Sequence, residues 1–597
     1  MTSSPAPGPD SREELNSSSG AALAKRPPHA EFAAPRWLPV LIVAAGFVVR
    51  IIPASRLFLN PDEALHNLLA TQASVSRAWA AALTNAHPPL LILVLYYWRW
   101  LGHSELWLRL PSVLAGTAAC WLFYRWLTLV ADHFTALLGL LLACFAPALI
   151  LLSAEVRQYA LLLFFIAGCL YFSEQAVQKN SPGLMVAFSL SLYGAVLTHY
   201  SALMFAFAIG VFMLARLYPY RQRGLLWIWA AGQIVGIAIA AYFLVTHIPR
   251  LRETGMVRTD LESYLRKAVF HPGERNPVAF VGSQTLRVFT YVFSHGLIGT
   301  LMLLAFLAGL IWLLRKKPAD GDSSSATGPS SRQLALLLGL PFVVNWAVSL
   351  AGLYPLGATR HSVFLAPFAI AGACFGISWI PASLRLKAIV VMLALAVCNF
   401  FPAPPPPIRA KDQSAVLMKD AVAYLHASVP AGSAILTDYE SGLLLGYYFC
   451  GHGVVQVFPP QRPITRAGCG QYAVIATSFR DWKFTADTFP AQFAAANKLR
   501  TPGTELWLFY AGWINDSAPA LKSELDQFGC TAPQSFGDNI LICRLSADAQ
   551  QTSDLGPARN KNASSAFCEG GSELPHRIKQ PVSADLISAR LISAGPS

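Results

Sequence analysis

Long apolar runs recur along this chain, and they constrain its fold more than any other feature. A helix needs about 20 apolar residues to cross roughly 30 Å of hydrocarbon. Runs of that kind stand at 37–54, 107–128, 134–152, 157–176, 183–199, 200–216, 225–247, 287–314, 333–353, 361–380 and 386–402. Only 13% of the 597 residues are charged, about half the share in an ordinary soluble protein. Mean hydropathy is +0.45. Together these values exclude a soluble enzyme, a disordered scaffold and a nucleic-acid factor. The reading is a polytopic α-helical membrane protein with about eleven transmembrane helices.

One further run, Pro88 to Leu101 (PPLLILVLYYWRWL), is shorter and interrupted by Arg99. Its orientation decides the topology. If it lies along the interface, Lys25, Arg26, Arg36, Arg216, Arg221, Arg223, Arg315, Lys316, Lys317, Arg332, Arg385 and Lys387 share one side. That side is then the cytoplasm, because cytoplasmic loops hold the excess of Lys and Arg. Tyr96, Tyr97, Trp98 and Trp100 also suit an interfacial helix. Part of the net charge of +13 is therefore topological. The expected location is the plasma (bacterial inner) membrane, with the N-terminus cytoplasmic.

Four segments follow. Residues 1–35 are rich in Ser, Ala and Pro and read as a disordered cytoplasmic N-terminus. Residues 36–402 form the transmembrane module. Residues 403–547 open with the stiff run Pro404–Pro407 and continue with a helical stretch and strand-like runs (SAILTDY, YAVIATS, TELWLFY, NILICRL). They read as a small extracytoplasmic α/β domain. Residues 548–597 read as a disordered tail. Cys120, Cys144, Cys169, Cys374 and Cys398 lie in apolar segments as packing residues. Cys450, Cys469, Cys530 and Cys543 are free to pair if their region faces an oxidising compartment.

This topology collects polar residues on the outer face: Asn60-Pro61-Asp62-Glu63, His87, Arg109, Glu155, Arg157, Tyr159, His199, Tyr200, Arg360 and His361. The helix centres are nearly free of charge, which points to chemistry at the outer interface rather than to a midplane transport site. Asp62 and Glu63 have two compatible readings. One is helix capping, with Asn60 as N-cap and Pro61 in the first turn. The other is a carboxylate placed as general base. Arg157 and Arg360 each open an apolar helix, where a cation gains nothing from the helix dipole. Snorkelling to headgroups and binding a phosphate both explain them. Arg50 reads as structural. The loop 248–286 is basic and reads equally as a lid or as headgroup contact.

The segments NPDEALH, HPPLLILVLYYWRWLG, LRLPSVLAGT, SAEVRQYALLLFF, LTHYSALM and TRHSVFLAPFA follow one another in a definite order. As a set they resemble the polytopic glycosyltransferases of the C-type fold, in the dolichyl-phosphate-mannose–protein mannosyltransferase-like group. The resemblance spans roughly 37–400. It implies an inverting enzyme that takes a sugar from a polyprenyl-phosphate carrier and passes it to an extracytoplasmic glycan, lipid or protein of the cell envelope. Asp62 matches the base that deprotonates the acceptor, and Glu63 a residue that assists or helps place a metal. Arg157 and Arg360 match donor-phosphate contacts. His87, Tyr159, His199, Tyr200 and His361 fall where substrate is bound, His361 standing in place of the commoner Tyr. Relatives that bind a divalent metal use an aspartate where this chain has Glu155; Asp62 and Glu155 are thus its metal candidates. The alternative from another class is a transporter or flippase for a lipid-linked sugar.

Overall fold

The computed structural model describes residues 35–218, 223–253, 265–316, 328–402, 414–451, 463–478, 483–485, 488–511 and 525–546. The chain divides into two units, Met1–Ala549 and Gln550–Ser597. The second unit lies outside the described residues, as do the N-terminal stretch 1–34, the Pro404–Pro407 run and residues 254–264 of the basic loop.

Among the described residues, seven helices are long and apolar enough to cross a membrane: Leu38–Arg56, Glu105–Val130, Tyr159–Lys179, Gly224–Leu251, Gly296–Arg315, Ser331–Leu350 and Arg360–Trp379. An eighth crossing results if the bent pair His133–Phe145 and Pro147–Ser153 counts as one. The chain is an integral membrane protein. Pro182–Thr198 and Ala202–Leu217 are apolar but shorter. Helix starts follow local chemistry: Ser104, Asp132, Ser181, Ser330 and Ser383 each cap a helix by accepting a backbone N–H in its first turn.

Two of the expected runs are not single helices. The 134–152 run bends by 56° at Pro147, which cannot donate the N–H that would continue the helical ladder. The 287–314 run is cut at Ser294, whose φ of 49° ends helix Pro277–Phe293 before Gly296–Arg315 begins. The Pro88–Leu101 run forms helix Leu90–Trp98 and a 3-10 turn, Arg99–Leu101. At about 1.5 Å per residue it reaches roughly two thirds of the way across the bilayer core. Arg99 donates to the Gln72 carbonyl (2.7 Å) and lies over the Tyr96 ring, while Tyr97 and Trp100 are exposed.

The bundle is held by close packing and a few buried ionic contacts. At Gly376 a Cβ would lie 1.9 Å from the Ala305 carbonyl oxygen, and at Gly309 2.2 Å from that of Gly372. Helices Gly296–Arg315 and Ala366–Trp379 thus meet backbone to backbone, as small residues permit in lipid. Arg50 is buried and donates to the carbonyls of Gly46, Cys144 and Ala143, tying the first helix to the end of His133–Phe145. Its role is structural, as expected. Arg216 and Glu174 form a buried pair at 2.7 Å between Ala202–Leu217 and Tyr159–Lys179. The five apolar-segment cysteines are buried and free.

Beyond the last apolar helix lies a six-stranded sheet. Its strands are β1 (Ala434–Thr437), β2 (Ile464–Cys469), β3 (Tyr472–Thr477), β4 (Leu506–Tyr510), β5 (Cys530–Phe536) and β6 (Ile540–Leu545). The order is β2-β3-β1-β4-β6-β5. Central β1 runs parallel to β3 and β4, and the remaining pairings are antiparallel. Disulfides join Cys450 to Cys469 and Cys530 to Cys543. Helix Tyr439–Tyr448, which follows β1, packs on helix Pro61–Ala70 and joins the sheet to one hydrophobic core with Phe58, Leu59 and Val156. Tyr448 Oη accepts the Leu59 N–H (2.7 Å) and donates to Glu105. Tyr447 Oη donates to the His103 carbonyl (2.7 Å).

Candidate active site

The site begins with the turn Asn60-Pro61. Asn60 Oδ1 accepts the Glu63 N–H (3.0 Å), and Glu63 Oε2 accepts the Asn60 N–H (2.9 Å). This capping box starts helix Pro61–Ala70 and places two adjacent carboxylates on different faces.

Glu63 turns inward. Arg109 Nε donates to Oε1 (2.8 Å) and its NH2 to Oε2 (2.7 Å), while the Val156 N–H reaches Oε1 (2.8 Å). Arg109 also donates to the carbonyls of Ala54, Leu57 and Phe58. Four donors fill the Glu63 carboxylate, which is buried. Through these bonds Glu63 joins the first helix, the acidic turn and the Glu155-Val156 segment into one frame.

Asp62 turns the other way. Its Oδ2 lies 2.9 Å from Arg157 NH1 and 2.9 Å from Arg360 NH2. Three segments widely separated in sequence therefore converge on one oxygen. Asp62 keeps 27% of its side-chain surface exposed and Arg360 24%, whereas Arg157 is buried. Burial pushes the Asp62 carboxyl upward, but Arg157 and Arg360 outweigh it and hold the group well below the usual carboxylate range. His66, one helical turn on, places Nδ1 2.5 Å from the Asp62 carbonyl and Nε2 3.4 Å from Asn85 Nδ2. Burial, then Arg157, lowers the His66 pKa to about 4. His66 was not singled out from the sequence, although its spacing from Asp62 in NPDEALH puts both on one helix face.

Behind Arg157 stands a group of rings. His87 stacks on His199 with centroids 5.0 Å apart, and His361 lies 6.2 Å from His87 and 5.8 Å from His199. Tyr159 is 5.4 Å from His199 and 6.3 Å from His361. Arg157 Cζ sits 5.7 Å over the Tyr159 ring. Burial above all, then the neighbouring His199 and Arg157, pushes His87 well below its ordinary value. Burial, then Arg157 and Arg360, lowers His199 to about 3. Both imidazoles are neutral. Tyr200 faces elsewhere: its hydroxyl donates to His247 Nδ1 (2.5 Å), and His247 Nε2 donates to the Asn85 carbonyl (2.9 Å). The expected substrate contacts His87, Tyr159, His199 and His361 are brought together, and Tyr200 is not among them.

Glu155 is buried, and its Oε2 has no hydrogen-bond partner among the described residues. Burial, then Glu63, raises its pKa to about 7. The expected metal pair does not fit a divalent cation. The Asp62 oxygen is shared by two guanidinium groups, and burial and the neighbouring Glu63 oppose ionisation of Glu155. Among the described residues no group of three or more His, Cys, Asp or Glu is arranged to hold a metal ion.

The sheet region also reaches this site. Tyr439, at the start of its helix, is buried close enough to Asp62 for that carboxylate to oppose its ionisation. Burial, then Asp62 and Glu440, pushes its phenol upward. Nothing in the run SAILTDYESGLL marks Tyr439 for such a position. Of the basic loop, Arg266 forms an exposed pair with Glu274 at 2.7 Å.

Comparison with known proteins adds one sequence match. The family model described as dolichyl-phosphate-mannose-protein mannosyltransferase matches residues 86–247. No curated protein sequence matches. Among solved structures, ArnT from Cupriavidus metallidurans bound to undecaprenyl phosphate is similar at 15% identity and a TM-score of 0.47, covering 88% of this chain and 100% of that one. The Archaeoglobus fulgidus oligosaccharyltransferase tethered to an acceptor peptide is similar at 10% identity and a TM-score of 0.44, covering 79% of this chain and 69% of that one. The matched segment contains His87, Arg109, Glu155, Arg157, Tyr159, His199 and Tyr200. Over residues 86–247 the chain carries the sequence pattern of the dolichyl-phosphate-mannose-protein mannosyltransferase family.

Proposed function

We propose that this protein is an inverting glycosyltransferase, moving a hexosyl or pentosyl group from a polyprenyl-phosphate carrier to an acceptor outside the cytoplasm. The observation that carries this reading is the convergence of Arg157 and Arg360 on Asp62 at 2.9 Å each. A lipid-phosphate sugar already has a leaving group at C1. The reaction then needs a carboxylate for the acceptor proton and cations for the departing phosphate, and these three residues supply both.

Asp62 takes the proton from the acceptor hydroxyl as its oxygen attacks C1 from the face opposite the phosphate. The C1–O bond to phosphate breaks, and the electron pair leaves on the polyprenyl phosphate, steadied by Arg157 and Arg360. Before donor binds, the two guanidinium groups make Asp62 a weak base. A phosphate that competes for them relieves that hold and raises the proton affinity of the carboxylate. Eleven crossings complete the reading, counting Pro182–Thr198, Ala202–Leu217 and Leu384–Phe400 with the eight above. The N-terminus is then cytoplasmic, and Asp62 and the sheet lie outside.

The test is purified protein in lipid nanodiscs with labelled polyprenyl-phosphate sugar and a mixed pool of envelope acceptors. The expected products are free polyprenyl phosphate and an acceptor glycoside inverted at C1. Movement of intact labelled lipid between leaflets, without release of polyprenyl phosphate, would instead establish a flippase.

A further inference from the structure

Four buried polar atoms at the ring cluster have no hydrogen-bond partner among the described residues: Arg157 Nε, Tyr159 Oη, His199 Nε2 and His361 Nε2. Leaving buried polar groups unpaired is costly, so such a set marks a surface that meets a polar ligand. The His199 tautomer can be assigned. The Ser201 N–H donates to His199 Nδ1 (3.1 Å), so in the neutral ring the proton sits on Nε2, a free donor. Arg157 Nε is a second donor, and Tyr159 Oη both donates and accepts.

We infer that His87, Tyr159, His199 and His361 form the sugar subsite, and that it takes an uncharged hexose or pentose in preference to an amino sugar or a uronic acid. The inference rests on the transferase reading above. Sugar hydroxyls donate and accept, which suits this mixed set, and ring faces suit the C–H faces of a pyranose. A cationic amino sugar needs a carboxylate, and Asp62, Glu63 and Glu155 are each committed. Asp62 is bridged by Arg157 and Arg360 in this structure and is occupied with the acceptor proton in the proposed reaction, and Glu63 is filled by four donors. Burial, then Glu63, favours the protonated form of Glu155. A uronate needs a cation, and Arg157 and Arg360 are turned toward Asp62 in this structure and toward the phosphate in the proposed reaction.

The experiment measures kcat/KM for release of undecaprenyl phosphate by the full-length protein. Its donors are undecaprenyl-phosphate glucose, mannose, galactose and arabinose, together with the 4-amino-4-deoxyarabinose and galacturonic acid analogues. The best neutral donor is expected to exceed both charged donors about 10-fold or more. His199→Phe, which keeps a stacked ring and removes the donor, should lower kcat/KM about 10-fold while the protein still binds undecaprenyl phosphate. His199→Gln, which restores an N–H, should recover part of that loss. A charged donor that is used best overturns the inference and leaves the transferase reading standing, as does a His199→Phe variant equal to wild type or to His199→Gln. Release from none of the donors overturns the transferase reading itself.

Discussion

Asp62 and Glu63 are adjacent in the chain and have opposite surroundings, because successive helical residues point about 100° apart. Glu63 meets Arg109 in the interior and Asp62 meets Arg157 and Arg360 at the site. Replacing Glu63 with Gln leaves the Arg109 cation buried without its counter-ion, which costs about 3–5 kcal/mol; thermal unfolding of the solubilised protein should show the loss. The titrating groups give a second residue-scale prediction. His66 and His199, at about 4 and about 3, and His87, also lowered, stay neutral where unfolded histidines protonate. Acid therefore favours the unfolded state, and this contribution is complete above about pH 6.5 and lost as pH falls toward 4. Glu155, raised to about 7, acts in the opposite sense. It retains its proton when folded and releases it when unfolded, so its contribution is lost as pH rises from about 4.5 through 7. The three histidines outweigh the one carboxyl, so stability should fall as pH drops from about 6 to 5. Melting temperatures across that interval check the slope. The sequence disclosed the acids and arginines because charge is scarce in an apolar chain, and it suggested the capping box by spacing. It did not disclose that Glu63 belongs to Arg109, since that depends on which face of the helix meets which neighbour.

At the scale of elements, hydropathy located the apolar segments well, because about 20 apolar residues in sequence have few alternatives to a membrane helix. Breaks within them were less legible. The 134–152 run reads as one span, and the 56° bend at Pro147 depends on neighbours that satisfy the freed backbone. Ser294 is left-handed because the chain turns there between two helices. Close packing was also invisible. A Cβ at Gly376 would overlap the Ala305 carbonyl, whereas one at Gly183 meets nothing within 4 Å. Gly376→Ala should therefore destabilise the bundle by about 1–3 kcal/mol through overpacking. Gly183→Ala should leave stability unchanged or slightly raised, as thermal unfolding of the two variants would show.

For the whole molecule, the proposed orientation rests on Lys and Arg collected on one set of loops and on a non-spanning Leu90–Leu101 segment, shorter than Pro182–Thr198 and Ala202–Leu217. Reporter fusions at Gly321 and Asp487 should read cytoplasmic and extracytoplasmic respectively; a cytoplasmic signal at the second would reverse the topology. In the proposed topology the six-stranded sheet, with Tyr439 near Asp62, lies on the outer side, where an oxidising compartment would preserve the two disulfides. The central claim is that Asp62 takes the acceptor proton while Arg157 and Arg360 hold the phosphate. The most direct test is single-turnover transfer by Asp62→Asn, with undecaprenyl phosphate binding measured on the same preparation. The account predicts retained binding and transfer slowed about 100-fold or more; transfer at the wild-type rate would contradict it.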